Sequence, residues 1–314
     1  MQKYKEIICK SACIRTKRKM PYKWDLNIYR GCEHRCKYCY ALYSHKYLEN
    51  NYNESSSSDK FFDNIYVKTN IDVELEKQLA KNSWKNDIIA IGTVTDSYQP
   101  IEKEYELMPK ILEVLIKHKN PAIISTKSDL ILRDLDLINE LSKVAYINIA
   151  GTVVSMDEKI NLAIEPNAIK SKMRIAMLKK VRKETNASTG LHFMPIIPYL
   201  TDSYENIDAI FKNIKLANIH YTILGPLNLY GKTRGFFFNF LKHDFPDIYK
   251  DMMSLYKTGR LDKHYKQELF KKINKIKNRY CVSTNYMKII KEKSKNLIKK
   301  EEFKQSNLFD FNNK

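Results

Sequence analysis

Three of the six cysteines in this 314-residue chain lie within eight consecutive positions, where their spacing could support metal chemistry. Cys32, Cys36 and Cys39 form a Cys-x3-Cys-x2-Cys pattern, which chance would place in roughly 0.002 of chains with this cysteine content. Thiolates are the ligands that iron–sulfur clusters prefer, and three on one tight loop can reach three corners of a cluster cube. Because no fourth cysteine lies nearby, one iron would be open to a small molecule.

Structural zinc is the main alternative for these cysteines. Zinc takes four ligands, commonly as paired Cys-x2-Cys units, and His34 or His45 could serve as the fourth without restoring that pairing. Three buried apolar cysteines are a weaker alternative, because charged residues are interleaved with them. A disulfide framework is typical of short secreted chains and is not expected here.

Short apolar runs alternate with longer amphipathic ones after the cysteine loop, which predicts parallel strands joined by right-handed helical crossovers. About six such units favour an open or closed barrel, and no Gly-x-Gly-x-x-Gly follows any strand to suggest a dinucleotide fold. A strand-like run over 25–30 leads into the cysteines, and a helix is expected over 40–49. The further predicted strands are 65–68, 88–94, 122–126, 146–154, 191–197 and 221–224, and the further predicted helices lie near 71–82, 104–118, 129–142, 170–185 and 204–217.

The net charge of +19 is carried by the two ends of the chain. Residues 1–30 contribute +7, residues 231–314 contribute +12, and the residues between them are balanced. Basic ends can hold phosphates, although lysines on solvated helix faces would give the same composition. We predict a basic, irregular arm over 1–24, a catalytic core over 25–230 and a basic, mainly helical extension over 231–314. Residues 50–60 should form a surface loop, and the last dozen should fray.

No apolar run approaches the roughly 18–20 residues that cross a bilayer, and the first residues lack the apolar segment of a signal peptide. The sequence therefore predicts a cytoplasmic protein that does not act in a membrane.

The cysteine loop resembles the Cys-x3-Cys-x-aromatic-Cys motif of the radical S-adenosylmethionine (radical SAM) superfamily. The resemblance implies a 4Fe–4S cluster held by three cysteines, with S-adenosylmethionine chelating the fourth iron. It also implies a flavodoxin- or ferredoxin-type electron donor and reductive cleavage to a 5′-deoxyadenosyl radical that takes hydrogen from a substrate. The implied fold is α/β, a partial (β/α)6 TIM-type barrel with the cluster loop after the first strand.

Other stretches are similar to the spore photoproduct lyase-like group, often labelled DNA repair photolyases. This likeness runs from about residue 7 to about residue 235. Together with the basic ends of the chain, it points to DNA or another phosphate-bearing substrate. The matching stretches are Asn27-Ile-Tyr-Arg-Gly-Cys-Glu-His-Arg-Cys-Lys-Tyr-Cys-Tyr-Ala41, Thr95-Asp-Ser-Tyr-Gln-Pro-Ile-Glu102, Ser125-Thr-Lys-Ser-Asp129, Arg133-Asp134, Met156-Asp-Glu, Glu165-Pro166, Arg174 and Pro195-Ile-Ile-Pro198.

The resemblance also implies roles for residues at the carboxyl ends of barrel strands, where barrel chemistry occurs. Tyr38, before the third cysteine, should lie beside the adenine. Thr95 and Asp96 should bind the methionine amino group. Asp96 could instead cap the following turn.

Three further residues match cofactor-binding positions. Lys127 resembles a cofactor-contacting lysine, and Thr152 and Arg174 should meet the ribose or the carboxylate. Lys127 could instead be a solvated loop residue and Arg174 a surface helix residue. His192 is expected to be an ordinary core histidine.

One position departs from the spore photoproduct lyase pattern. That enzyme has a hydrogen-donating cysteine near the end of the second barrel strand, where this chain has Thr93. A hydroxyl O–H bond is too strong to replace a thiol, and no cysteine lies between Cys39 and Cys281. We therefore expect a radical SAM enzyme with a substrate other than spore photoproduct, with Cys281 or a tyrosine left as candidate donors. A metal-stabilised nucleic-acid-binding protein without catalysis, or a radical enzyme acting on peptide or RNA, are the alternatives.

Overall fold

The fold was taken from a computed structural model, which describes residues 3–17, 20–47, 59–295 and 297. Its strands are β1 (Lys3–Ile7), β2 (Cys13–Arg15), β3 (Trp24–Leu26), β4 (Tyr29–Arg30), β5 (Asn64–Lys68), β6 (Ile89–Ile91), β7 (Ala122–Thr126), β8 (Ile147–Thr152), β9 (Ser188–Ile196) and β10 (Tyr221–Pro226). Its α-helices are α1 (Asp59–Asp63), α2 (Ile71–Leu79), α3 (Glu102–Tyr105), α4 (Leu107–Lys117), α5 (Leu135–Val144), α6 (Glu158–Ile164), α7 (Ser171–Glu184), α8 (Tyr204–Leu216), α9 (Gly231–Asp244), α10 (Pro246–Leu255) and α11 (Lys263–Tyr280). Two 3₁₀ helices span Tyr40–Tyr47 and Leu130–Asp134, and a last helical segment covers 286–295.

Six parallel strands form the central sheet, in the order β10-β9-β8-β7-β6-β3. Helices connect successive strands, and this arrangement is the expected partial (β/α)6 barrel. Among the described residues no hydrogen-bonded pairing joins β10 to β3, so the barrel is open between these two strands. The predicted α/β class and barrel type are confirmed.

The helices follow the apolar spacing of the sequence. In α4, for example, the apolar side chains that recur every three or four residues are buried and form one face of the helix. The spacing of apolar residues predicted one helix over 104–118, but the structure has two. Glu106 adopts a left-handed conformation with φ 46°, and this separates α3 from α4.

The N-terminal segment is more ordered than the sequence predicted. Strand β1 pairs in parallel with β5, and β4 pairs antiparallel with β5, so these strands form a separate three-stranded sheet. Strand β2 pairs antiparallel with β3 at the edge of the barrel sheet. The expectation of an irregular arm over 1–24 was wrong, because the partners of β1 and β2 lie elsewhere in the chain. The run over 25–30 divides between the two sheets for the same reason.

The C-terminal extension is helical, as expected, and covers one edge of the barrel sheet. The N–H of Thr222 on edge strand β10 donates to the carbonyl of Ser283 at 2.9 Å. No helix among the described residues is long and apolar enough to cross a membrane. Most of the predicted loop over 50–60 and all of the last dozen residues lie outside the described residues. The domain boundaries at 24 and 230 stay predictions.

Candidate functional site

The cysteine loop, residues 31–40, begins at a backbone position that only glycine fits. Gly31 has φ +88°, and a Cβ there would lie 2.6 Å from the carbonyl oxygen of Asn64 and 2.8 Å from that of Phe61. The Cys32 N–H donates to the same Phe61 carbonyl at 3.3 Å. These contacts let the loop turn closely against the end of α1 and the start of β5, at the carboxyl side of β3.

The three cysteines lie on one loop of turns, residues 31–40. The Cys39 N–H donates to the Cys36 carbonyl at 3.1 Å, which closes a tight turn between two of them. Burial raises the pKa of all three thiols, to about 12 for Cys36, where the positive charge of Lys127 acts in the opposite direction. Thiols in this state bind a metal only with release of their protons.

Both histidines weighed as zinc ligands are held by hydrogen bonds. The Nε2 of His34 lies 2.9 Å from an Asp96 oxygen, and its Nδ1 lies 3.3 Å from the Asn167 carbonyl. His45 is held through its Nε2, 3.0 Å from the Asn64 carbonyl. In the described part of the chain, no group of three or more His, Cys, Asp or Glu side chains is arranged around a single metal ion.

Asp96 connects the cysteine loop to two barrel strands. One carboxylate oxygen accepts from the hydroxyl of Thr126 at 2.8 Å and from the N–H of Tyr98 at 2.9 Å. The other accepts from the N–H of Lys127 at 2.7 Å and contacts His34. Burial alone would raise the pKa of Asp96, but His34 and the two N–H donors outweigh it and lower the pKa to about 2.

These four contacts occupy the roughly four lone-pair positions of a carboxylate. Asp96 therefore acts inside the protein as a positioning residue, and its contact with Tyr98 is the turn cap considered as an alternative; a contact with the methionine ammonium stays a prediction. Asp96 fixes His34, two residues from both Cys32 and Cys36, against the ends of β6 and β7.

A second set of contacts holds the start of the loop. The Thr95 hydroxyl donates to the Gly31 carbonyl at 2.5 Å and accepts from the amide of Gln99 at 3.1 Å. The oxygen of Gln99 accepts from the N–H of Glu33 at 2.9 Å. Thr95 thus lies at the expected place, but its hydroxyl is used inside the protein to hold the loop.

A buried ionic cluster lies on the other side of the loop. The Arg174 guanidinium contacts one oxygen of Glu165 at 2.5 Å, and both side chains are 0% exposed. The Tyr38 hydroxyl donates to the other Glu165 oxygen. The positive charge of Arg174, with Lys127 and these hydrogen bonds, lowers the pKa of Glu165 against the effect of burial. Arg174 is therefore a buried residue, and the alternative of a surface helix residue was wrong.

Two cations of this cluster are incompletely paired. Arg174 also donates to the carbonyls of Ile169 and Thr152, at 2.8 and 2.9 Å, but its Nη2 is buried without a hydrogen-bond partner among the described residues. The Lys127 ammonium lies 5.8 Å from the centre of the Tyr38 ring and has no hydrogen-bond acceptor in the described residues. A half-buried lysine and a buried arginine in this state can receive an anionic group.

Thr152 and His192 are paired across strands β8 and β9 at the same end of the barrel. Burial and the charge of Lys127 lower the pKa of His192 to about 4, so its ring is neutral near pH 7. The six predicted cofactor residues therefore all lie around the cysteine loop at the mouth of the barrel. Sequence reasoning missed Gln99 and Asn167 as residues that hold the loop. Gln99 lies in the matching stretch 95–102, but its partners, like those of Asn167, are distant in the chain and no local pattern indicates them.

A sequence model of the Radical SAM superfamily matches residues 26–211. The chain belongs to the radical SAM superfamily. Related sequences include an uncharacterized protein of Mycobacterium bovis, 31% identical over 288 residues, which cover 90% of this chain and 82% of the relative. Another is an uncharacterized protein of Methanocaldococcus jannaschii, 32% identical over 229 residues, covering 73% and 78% of the two chains.

The fold of this radical SAM enzyme is also found in solved structures. A spore photoproduct lyase complexed with dinucleoside spore photoproduct superposes with a TM-score of 0.60 at 12% identity, covering 88% of this chain and 79% of the lyase. A variant of that lyase with bound AdoMet and dinucleoside spore photoproduct gives a TM-score of 0.61. Membership of this superfamily implies a 4Fe–4S cluster and S-adenosylmethionine as the cofactors of this chain.

Cys281 lies away from the mouth. It is exposed at the C-terminal end of α11, two residues from Ser283, which pairs with the edge of β10 near the first residue of that strand. The mouth lies at the opposite end of β10. Thr93 lies in the mouth, where its hydroxyl accepts from the Asn27 amide at 3.1 Å and its carbonyl accepts from the Tyr40 hydroxyl. Of the two candidate donors, a tyrosine near Thr93 is therefore better placed than Cys281.

Proposed function

We propose that this enzyme holds its 4Fe–4S cluster through Cys32, Cys36 and Cys39 and starts radical chemistry on an organic substrate at the mouth of the barrel. The cluster, when bound, supplies the electron that cleaves S-adenosylmethionine to methionine and a 5′-deoxyadenosyl radical, which takes hydrogen from the substrate. The single observation that carries this proposal is that Cys36, on the loop that also carries Cys32 and Cys39, lies near two incompletely paired cations, Lys127 and Arg174.

The residues around the loop fit the cofactor's charges. The buried Nη2 of Arg174 has no hydrogen-bond partner among the described residues, and a carboxylate would satisfy it. Lys127 adds a second positive charge next to Cys36. We assign these two side chains to the methionine carboxylate of S-adenosylmethionine. Glu165 acts through them, because it balances Arg174 and holds Tyr38 by a hydrogen bond.

Tyr38 and Thr152 have the remaining roles in this proposal. The Tyr38 ring is held between Glu165 and Lys127, which gives it a fixed face for an adenine. Thr152 fixes Arg174 through its carbonyl, and its side chain is left for the ribose. Asp96 and Thr95 position the loop that carries the cluster ligands.

The test is anaerobic reconstitution of the wild-type chain with iron and sulfide, followed by reduction with dithionite and S-adenosylmethionine. We expect a brown protein that absorbs near 400 nm and releases 5′-deoxyadenosine. The Cys36→Ser variant should lose the cluster, whereas Cys281→Ser, which removes an exposed cysteine away from the mouth, should behave as wild type. A colourless protein with one zinc per chain would overturn the proposal.

A phosphate-bearing substrate is the class that the basic ends favour. Both ends contact the cysteine loop: the Tyr4 hydroxyl donates to Glu33 at 3.1 Å, and the Thr233 hydroxyl donates to the Cys39 carbonyl at 2.9 Å. The lyase with a similar fold binds a dinucleoside photoproduct, which supports a nucleic-acid substrate. Thr93 in place of the donor thiol favours a substrate other than spore photoproduct.

Deuterium transfer tests the substrate class. Candidate oligonucleotides and peptides, deuterated at carbon, would be incubated with the reduced enzyme, and 5′-deoxyadenosine would be analysed by mass spectrometry. Deuterium from an oligonucleotide supports the proposal, and deuterium from a peptide alone overturns it. A non-catalytic nucleic-acid-binding protein would instead bind oligonucleotides equally well after Cys36→Ser and would release no 5′-deoxyadenosine.

A further inference from the structure

The first two turns of α9 pack against the cysteine loop, although α9 belongs to the C-terminal extension. Thr233 is buried, and its hydroxyl donates to the carbonyl of Cys39, 194 residues earlier in the chain. One turn later, the ring of Phe236 lies 5.6 Å from that of Phe62 on α1. Helix α9 follows β10, the last strand of the barrel, whereas α1 lies in the segment after β3, the first strand of the barrel. Helix α9 therefore connects the two ends of the barrel sheet.

Phe236 completes a small apolar cluster that is separate from the main core. Its buried members are Ala41, Leu42, Phe61 and Phe62, and the side chains packed against it are Cys32, Cys39, Val94 and Phe236. We call this group, including Phe236, the apolar cover. It touches two of the three cysteines, and within the described part of the chain Phe236 is its only member from beyond residue 94.

A basic layer lies outside the apolar cover and fixes Phe236. The Lys37 ammonium lies 5.9 Å from the ring centre of Phe236 and 5.6 Å from that of Phe240, and the Arg35 guanidinium lies 5.6 Å from that of Phe62. Arg35 is paired with Asp63. Cations over aromatic faces favour this arrangement. Aromatic rings therefore cover the part of the loop that carries Cys32 and Cys39.

We propose that α9 forms one wall of the cluster compartment, with Thr233 positioning Cys39 and Phe236 excluding water from Cys32 and Cys39. This rests on the proposed assignment of the three cysteines as cluster ligands. Hydrogen bonds and solvent exposure around the ligands set the reduction potential and stability of an iron–sulfur cluster. The C-terminal extension would thus control how long the cluster survives in air and how readily it is reduced.

The first test measures the cluster in the reconstituted full-length chain. We expect Phe236→Ala to speed bleaching of the 400 nm absorption in air by roughly tenfold, the scale typical of losing a group that supports metal ligands. The midpoint potential should rise because water reaches the sulfurs. Thr233→Val should show smaller changes of the same sign, and Phe236→Leu should restore most of the wild-type behaviour.

Phe238→Ala is the matched control. Phe238 is a buried aromatic residue on the same helix, but it packs against Tyr249 and Arg234 on the side of the main core. Its bleaching rate and potential should stay close to those of wild type. Equal acceleration by Phe238→Ala, or a wild-type rate for Phe236→Ala with an unchanged circular dichroism spectrum, would overturn the proposal.

A second test works without a cluster. Apo-protein would be treated with iodoacetamide, and the alkylation rate of Cys39 would be measured by mass spectrometry against that of exposed Cys281 as an internal reference. We expect Phe236→Ala to increase the Cys39 rate severalfold and Phe238→Ala to leave it unchanged. An unchanged alkylation rate of Cys39 in Phe236→Ala would overturn the proposal that Phe236 shields this cysteine. Failure of the wild-type protein to form a cluster would overturn only the assignment of the three cysteines as cluster ligands.

Discussion

The buried pair of Glu165 and Arg174 gives a stability prediction that can be worked from the structure. Both side chains are 0% exposed, and the guanidinium cannot lose its proton to escape burial. Glu165→Gln keeps the shape of the side chain but removes its charge, which leaves Arg174 and the nearby Lys127 without their balancing carboxylate. The Tyr38 hydroxyl and the Asn161 amide, 3.0 Å from Glu165, also lose a charged acceptor.

Removing one partner of a buried ion pair costs about 3–5 kcal/mol, so we expect Glu165→Gln to lower the free energy of unfolding by that amount. At roughly 2 °C per kcal/mol for a chain of this size, the midpoint of thermal unfolding should fall by about 6–10 °C. The assay is urea unfolding of the apo-protein at pH 7, followed by circular dichroism, because bound cofactors would add their own stabilisation.

The double variant Glu165→Leu with Arg174→Met is the matched comparison. It leaves neither charge of the pair buried, so its free energy of unfolding should return to within about 2 kcal/mol of wild type. It should nevertheless fail to release 5′-deoxyadenosine, because it lacks the Nη2 assigned to the cofactor carboxylate. A loss below about 1 kcal/mol in Glu165→Gln, or a double variant as unstable as the sum of its single changes, would refute the reasoning.

Three further predictions follow from single residues. Gly31→Ala should lower the free energy of unfolding by about 1–3 kcal/mol and reduce the iron bound per chain, because the new Cβ meets two backbone oxygens at a φ of +88°; normal iron content would contradict this. Asp96→Asn replaces one carboxylate oxygen with an NH₂ group, which then faces two of the four groups that contact Asp96, so we expect iron content to fall and the free energy of unfolding to decrease by about 1–3 kcal/mol. A wild-type iron-to-protein ratio would show that the loop is held without Asp96. Burial lowers the pKa of Lys68 from 10.5 to about 8, so the unfolded chain binds more protons than the folded chain between these two values. The free energy of unfolding of apo wild type should therefore increase relative to that of Lys68→Met as the pH rises from about 8 to 10.5. If urea unfolding shows the same pH dependence for both proteins across this range, the pKa shift is ruled out.

The sequence predicted much of the barrel because its signals are local. Alternation of apolar residues marks strands and a spacing of three or four marks helices, so the parallel strands from Ile89 onward and the helices between them were found with small errors at their ends. Missing from the prediction was α6, which has only seven residues and a weak pattern. The pairing of β1 with β5 was also missed, because two short strands whose paired residues lie 61 positions apart leave no common pattern in the sequence.

The candidate site divides in a similar way. The cysteine motif and the residues at strand ends could be named from the sequence. The motif spans only eight positions, so its spacing is visible in the sequence, and the carboxyl ends of parallel strands meet at one side of a barrel. Their partners could not be named. Asp96 was expected to face a ligand, and only the structure shows that four internal donors occupy it.

The sequence by itself therefore determined the barrel class, the cysteine triad, the positions of the polar residues at the strand ends and the uneven distribution of charge. The tertiary structure decided which of those residues remain open to a ligand and which hold the loop. It also brought Glu165 to Tyr38 across 127 residues and Thr233 to Cys39 across 194. Such pairs depend on how whole helices and strands pack against each other. The residues next to a side chain in the sequence do not determine that packing, so they do not determine its partner.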